Sequence, residues 1–344
     1  MTATFLDLVD LASERLGAAV VAANDEFFGS KDNLIKAEAP IWREGEYTDR
    51  GKWMDGWETR RRRGTGHDWC IVRLGVPGLV RGVDVDTSHF KGNHPEACAI
   101  EVCDLPGVAT DDQFGRAEWR EVLARTPLAA DSHHQLSIDG APKATHLRLR
   151  IYPDGGVARL RVYGDVVADW ARLARRGEVD LAAVEHGGVV VACSDMLFGS
   201  RHNLIMPGDA RHMGDGWETR RRRGAGHDWA IIRLGAPGTI RRVEVDTRHF
   251  KGNAPGDCSL ETCALRPSQG GSLRDAGGTA AWDPQAAVAW QELLPLAPLQ
   301  PHARHTFEDE LKTIDLVTHV RFNVFPDGGV GRLRLFGRPC QSTI

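Results

Sequence analysis

Residues Asp55–Gly75 read DGWETRRRRGTGHDWCIVRLG and residues Asp215–Gly235 read DGWETRRRRGAGHDWAIIRLG. Only Thr65/Ala225, Cys70/Ala230 and Val72/Ile232 differ, so whatever this stretch does, the chain carries it twice. The copies lie too far apart to be solenoid units, whose periods run about 20 to 50 residues, and each therefore marks a whole module. In a chain of 344 residues this divides the sequence near its middle, into modules of residues 1–166 and 167–344, each long enough to bury its own core.

Upstream of the motif, VVAANDEFFGSKDNLI (Val20–Ile35) answers VVACSDMLFGSRHNLI (Val190–Ile205). Asp25, Phe28, Gly29, Ser30 and Asn33 recur there as Asp195, Phe198, Gly199, Ser200 and Asn203. A repeated Gly-Ser and Asn suits turn geometry as well as it suits a site. Downstream, β-rich runs recur at His67–Leu74, Val80–Asp86, Ala97–Cys103 and Thr145–Gly164, the spacing of an all-β sandwich or barrel. In THLRLRIYPDGGVARLRVYG, Leu147, Leu149, Ile151, Leu160 and Val162 alternate with arginines around PDGG, which predicts a hairpin with one buried face; Val320–Gly337 repeats it. Helical spacing is confined to Phe5–Leu16, ended by Gly17, to a like segment at Asp180–Val184, and to the linker from Val167 to Gly177. The first module makes an excursion at Trp42–Tyr47 that the second replaces with the shorter Met206–Asp209. The second inserts a Gly- and Ala-rich loop around Gly270–Gln285, expected to be mobile surface.

A formal net charge of −4 and a pI near 6.4 weigh against nucleic acid or an acidic membrane as partner, despite the arginine run. No apolar run approaches the roughly 20 residues of a membrane span, and MTATFLDLVDLASERLG has acids where a signal peptide has basic residues. A cytoplasmic protein is expected. Seven cysteines in no disulfide spacing read as small buried hydrophobes; Cys98 and Cys103, repeated as Cys258 and Cys263, point to opposite faces of a strand.

Strand periodicity then places the polar residues. In RGVDVDTSHFKGN, Val83, Val85, Thr87, His89 and Lys91 share one side if the chain stays extended, so His89 and Lys91 would form a rim where that face leaves the core. Val243 to His249 and Lys251 repeat the register, and Asp86 and Asp246 face the other way. In HDWCIVRLG, Asp68 shares a face with Cys70, Val72 and Leu74, and Asp228 matches it. A carboxylate there needs a cation, either a functional partner or an arginine of the preceding run. Read as a strand, WETRRRR sets Glu58, Arg60 and Arg62 against Trp57, Thr59, Arg61 and Arg63, so at most half the arginines enter one pocket. Arginine suits a small carboxylate, since its planar fork bonds both oxygens. No nucleophile elbow, phosphate loop or HExxH occurs. His67, Asp68, Asp86, His89 and Glu101 could ligate a metal only if the fold gathers them, so no cofactor is required and a divalent metal stays open.

The motifs DGWETRRRRGxGHDW, DTxHFKGN and PDGGxxRLRxxG, each present twice, resemble those of the allantoicase family over essentially the whole chain. The resemblance implies two tandem jelly-roll β-sandwiches similar to galactose-binding-like domains, each with short helices at its start. It also implies hydrolysis of allantoate to ureidoglycolate and urea in purine-nitrogen catabolism. On that chemistry Arg60 and Arg61, or Arg220 and Arg221, are expected to hold the substrate carboxylate, with His67, Asn93, His227 and Asn253 as further binding residues. The catalytic candidates are Glu58, Asp68, Asp86, His89 and Lys91 with their copies Glu218, Asp228, Asp246, His249 and Lys251. His89 is the better acid for the leaving urea, because nearby arginines oppose the raised pKa that a carboxyl donor needs, and Asp86 would direct water. Two other readings remain: a ureidoglycolate-processing enzyme, and a non-catalytic carbohydrate-binding sandwich. A homo-oligomer is the expectation for an enzyme of this size.

Overall fold

The computed structural model describes residues 4–105, 107, 109–265 and 289–340, so the Gly270–Gln285 insertion lies outside the described residues. The chain forms two compact units, Met1–Val167 and Ala168–Ile344. In the first, one long strand, Asp68–Asp86, serves two layers. Its first half pairs with Ala19–Ala23 and Lys143–Tyr152, and its second half with Arg159–Val166 and His133–Ser137. Ala97–Cys103 and Arg120–Pro127 extend the first layer, and Val9–Asp10 extends the second.

The strand passes from layer to layer around Gly78. A side chain there would meet the Asp165 carbonyl at 2.8 Å and Leu11 at 2.7 Å. A bulge beside Gly164 then resets the alternation, so that Val83 and Val85 face inward as Cys70, Val72 and Leu74 do earlier. With Ile100, Val102, Leu147, Leu149, Ile151, Leu160 and Val162 they form one core. The fold is a jelly-roll β-sandwich, as the family resemblance implied. The second unit repeats it around Asp228–Asp246, with Val317–Phe325 and Arg332–Pro339 flanking its two halves.

Three expectations change. Thr145–Gly164 is no hairpin: Lys143–Tyr152 and Arg159–Val166 both pair with the long strand and not with each other, so PDGG arches between layers. Phe5–Leu16 is not one helix. Two 3-10 turns, Thr4–Asp7 and Glu14–Leu16, flank a short strand, because Val9 and Asp10 join the ladder of Arg159–Val166 and Asp10 accepts hydrogen bonds from the amides of Ala12 and Val162. Gly17 closes the second turn in the left-handed conformation, and the linker helix is Trp170–Ala174. The third change is in the arginine run, where only Trp57–Glu58 is strand.

All seven cysteines are free thiols. No helix among the described residues is long and apolar enough to cross a membrane.

Candidate functional site

The ladder sets the location of the site. Asp68 lies opposite Ile151 and Asp86 opposite Arg159, and the PDGG arch joins those two partners, so both aspartates stand at the same end of the sandwich. At that end the motif is tied to the arch. Trp57 and Glu58 pair with Val157 and Gly156, the Thr59 amide bonds the Gly155 carbonyl, and the Arg62 amide bonds Asp154 at 2.8 Å. Buried Trp57 spends its indole N–H on the Asp25 carbonyl (2.8 Å), and the Arg60 amide and Nε both bond Asp25 Oδ2 (3.2 and 2.8 Å).

These ties replace a ladder, so residues 59–63 are not pleated and the alternation expected of the arginines fails. Arg60, Arg61 and Arg62 together line an open cleft of about 370 Å³ with Asn24, Asp25 and Asp68. Asp68 is buried and bound by Arg62, the structural partner anticipated for it. Asn24 Nδ2 donates to the same carboxylate oxygen at 2.7 Å. Burial works against the charge on Asp25, but the Arg60 hydrogen bond and the amides of Phe27 and Arg60 outweigh it and hold the carboxyl below its ordinary pKa. Arg61 makes no ion pair with any described residue, so three guanidiniums face two carboxylates and one positive charge is left over.

The second unit repeats the frame. Arg220 bonds Asp195, Arg222 bonds Asp228, and the Arg222 amide bonds Asp327.

The other candidates lie elsewhere. The extended conformation ends at Asp86, because the Thr87 hydroxyl donates to Ala129 and Ser132, and His89 turns at φ 70°. His89 therefore does not form the expected rim. Its Nε2 meets the Pro40 carbonyl at 3.3 Å, its amide bonds Asp131, and Trp42 stands beside the ring. His249 repeats this against the Ala210 carbonyl at 2.9 Å, with φ 75°. Lys91 is exposed, 3.8 Å from Asp131, and Lys251 is exposed too. Neither histidine nor either lysine lines the arginine cleft.

Glu58 and Asn93 bond each other at 2.7 Å, as do Glu218 and Asn253 at 2.5 Å. Burial raises the Glu58 pKa although Asn93 opposes it. His67 lies against Tyr152 with ring centroids 5.1 Å apart and the planes tilted by 41°. Burial first, then Arg150, Arg148 and Arg62, lower its pKa; His227 lies tilted against Phe325 and meets Asn323 at 3.3 Å. Asp86 belongs to the outer face of the second layer, near His133, and Asp246 sits beneath Arg248 and Arg304 in a separate cavity of about 260 Å³. Among the described residues, no three of His, Cys, Asp or Glu are gathered to hold a metal, and the five ligand candidates stay apart.

Three cleft residues, Asn24, Asp25 and Arg62, are not among the candidates the sequence offers, Asp25 being legible only as a recurring loop residue. Asn24 precedes the recurring Asp25 but is Ser194 in the second copy, so comparing copies filtered it out. Strand alternation sets Arg62 beside Arg60, with Arg61 on the opposite face, whereas all three line the cleft because the alternation is absent there.

A family model described as the allantoicase repeat matches residues 9–167 and again 179–340. A probable allantoicase of Pseudomonas aeruginosa (strain LESB58) is 50% identical over 337 residues, 98% of each chain. Probable allantoicase 2 of Burkholderia pseudomallei (strain K96243) is 50% identical over 329 residues, 96% of this chain and 94% of that one. Among solved structures, the crystal structure of allantoicase from Saccharomyces cerevisiae matches with a TM-score of 0.78 at 35% identity, covering 96% of this chain and 92% of that one.

Proposed function

The chain belongs to the allantoicase family, and from that premise we propose that its arginine cleft is where allantoate is bound and cleaved. The reaction is hydrolysis of a carbon–nitrogen bond, giving ureidoglycolate and urea. Allantoate is a monoanion whose central carbon carries a carboxylate and two ureido arms. The observation that carries the proposal is the unpaired charge of Arg61, in a cleft whose other guanidiniums already face Asp25 and Asp68.

The roles follow from which atoms are free. Arg60 is committed to Asp25, so the carboxylate goes to Arg61, not to the Arg60–Arg61 pair expected from sequence. Asp68 Oδ1 takes the bonds from Arg62 and Asn24, while its Oδ2 accepts from no described residue, on a buried side chain that lines the cleft. That oxygen orients water toward the central carbon and accepts its proton. The water oxygen forms the new C–O bond, the C–N bond breaks, and the proton just taken from water is relayed by Asp68 to the departing urea nitrogen, so the carboxyl needs no raised pKa beside Arg62. His89, tied to a backbone carbonyl outside the cleft, has no part in this scheme. In this scheme Glu58 and Asn93 brace each other, and Lys91 and Asp86 take no part in the reaction. The setting we propose is a cytoplasmic homo-oligomer, supported by the size of the chain.

Urea release from allantoate tests the assignment. Asp68→Asn should lower kcat by about 10²- to 10⁴-fold with KM little changed. Arg61→Ala should instead raise KM, costing about 10- to 100-fold in kcat/KM. Wild-type turnover in Asp68→Asn would remove this cleft from the reaction.

A further inference from the structure

The two arginine frames match in charge, yet the neutral residue beside each differs. We infer that Asn24 reads a ureido arm of the substrate and that Ser194 cannot, so the first unit holds the productive cleft. This inference rests on the proposed cleft and adds to it a specificity residue.

The argument is a count of hydrogen-bonding capacity. Asn24 donates from Nδ2 to Asp68 Oδ1 at 2.7 Å and accepts at Oδ1 from the Trp69 amide, also at 2.7 Å. Those two bonds fix which end of the carboxamide is which. They leave one N–H and one oxygen lone pair unspent on a residue that lines the cleft. A ureido group offers the complement, a carbonyl that accepts beside N–H groups that donate, so a carboxamide can meet it with paired bonds. Ser194 makes the same two structural bonds, donating from Oγ to Asp228 Oδ1 at 2.9 Å and accepting from the Trp229 amide at 2.9 Å. Its other geometric acceptor, the Trp229 carbonyl at 3.4 Å, competes for the same single hydrogen. A hydroxyl so placed keeps one lone pair and no donor. Asparagine and serine are therefore interchangeable as supports for the aspartate and unequal toward a ureido ligand. Such a difference is large when a ligand's polar group must otherwise go unmatched.

The test uses two stable carboxylates as inhibitors of allantoate hydrolysis. N-carbamoylglycine carries one ureido arm, and propionate carries none. Asn24→Ser installs the side chain that already makes both structural bonds in the second unit, so the loop is expected to fold. An unchanged melting temperature checks that. The variant should raise the inhibition constant of N-carbamoylglycine by about 3- to 10-fold, the loss of the one neutral hydrogen bond that the unspent N–H would make, and leave that of propionate unchanged. Arg61→Ala should raise both constants. If Arg61→Ala raises neither, the cleft itself is misassigned. If it raises both while Asn24→Ser shifts the two inhibitors equally or not at all, the cleft stands and the role of Asn24 is overturned. Calorimetric titration of the wild-type chain with N-carbamoylglycine should find one site per chain; two equal sites would overturn the inequality of the units.

Discussion

The loop Asp25–Gly29 in the first unit and Asp195–Gly199 in the second hold the same aspartate on the same arginine, but they are covered differently. In the first, the excursion over residues 41–53 brings Arg50 over the Phe27 ring at 5.4 Å, with Arg60 at 5.2 Å, and sets Gly51 against Phe28. In the second the excursion is gone, and Met196, Leu197 and Phe198 stand exposed. The contrast separates two kinds of repetition. Residues that hold the arch and the loops together recur, and Arg61 recurs with them as Arg221, whereas the cover of the loop and the neutral residue Asn24/Ser194 have diverged. Recurrence between the copies is thus a guide to the frame, and departure from it a guide to what distinguishes the units.

The largest effects should fall on the frame and be equal. Arg159 is buried and donates to the carbonyls of Glu38, Asp55 and Ala158 and to Asp55 Oδ2, all at 2.7–2.9 Å. Arg332 does the same for Gly208, Asp209, Gly331 and Asp215. Replacing either by Ala removes the buried partner of a buried carboxylate, leaving it only Lys36 at 3.4 Å or Arg211 at 3.3 Å as a cation, and should cost its own unit about 3–5 kcal/mol in urea unfolding. A loss under about 1 kcal/mol in one unit and several in the other would break the claim that the frames are equivalent.

A smaller effect should show the inequality of cover. Phe28→Ala removes a ring packed under the excursion and should cost about 1–2 kcal/mol. Phe198→Ala removes an exposed one and should stay within about 0.5 kcal/mol. Equal costs would mean that the excursion covers nothing that matters.

The same division explains what could be read without coordinates. The tandem β modules, the inward valines and leucines, and the tie between Asp68 and a preceding arginine follow from alternation and repetition, which act residue by residue. The cleft did not follow, because it is made where alternation stops. Thr59–Arg62 is shaped by bonds to Asp154, Gly155 and Asp25, partners remote in sequence. His89 and Lys91 were projected along a strand that ends at Asp86, and only the hydroxyl of Thr87, reaching Ala129 and Ser132, shows why it ends. The hairpin failed for a related reason. One strand long enough to serve both layers looks, in sequence, like two.

The smallest predicted effect is also the most specific to one unit. On the outer face of the second layer, His133 Nδ1 lies 2.9 Å from Asp84 and Nε2 lies 3.8 Å from Asp86, where the second unit has Arg304 beside Asp246. Burial disfavours charge on His133, but the Asp84 hydrogen bond and the charges of Asp84 and Asp86 prevail and raise its pKa above 6.5. A raised pKa in the folded state means that the imidazolium contributes stability fully below pH 6.5 and loses it as pH rises through the folded value. Arg304 keeps its charge throughout that range, so its unit gains no such dependence. Because the His133 side chain is 58% exposed, solvent screens the pair and the contribution should stay below about 1 kcal/mol. His133→Gln should therefore be less stable than wild type at pH 5.5, and the gap should close by pH 9. His133→Arg should hold its stability across the same range, carrying into the first unit the behaviour of the second. A gap that does not change with pH would show that Asp84 and Asp86 do not depend on this histidine for compensation.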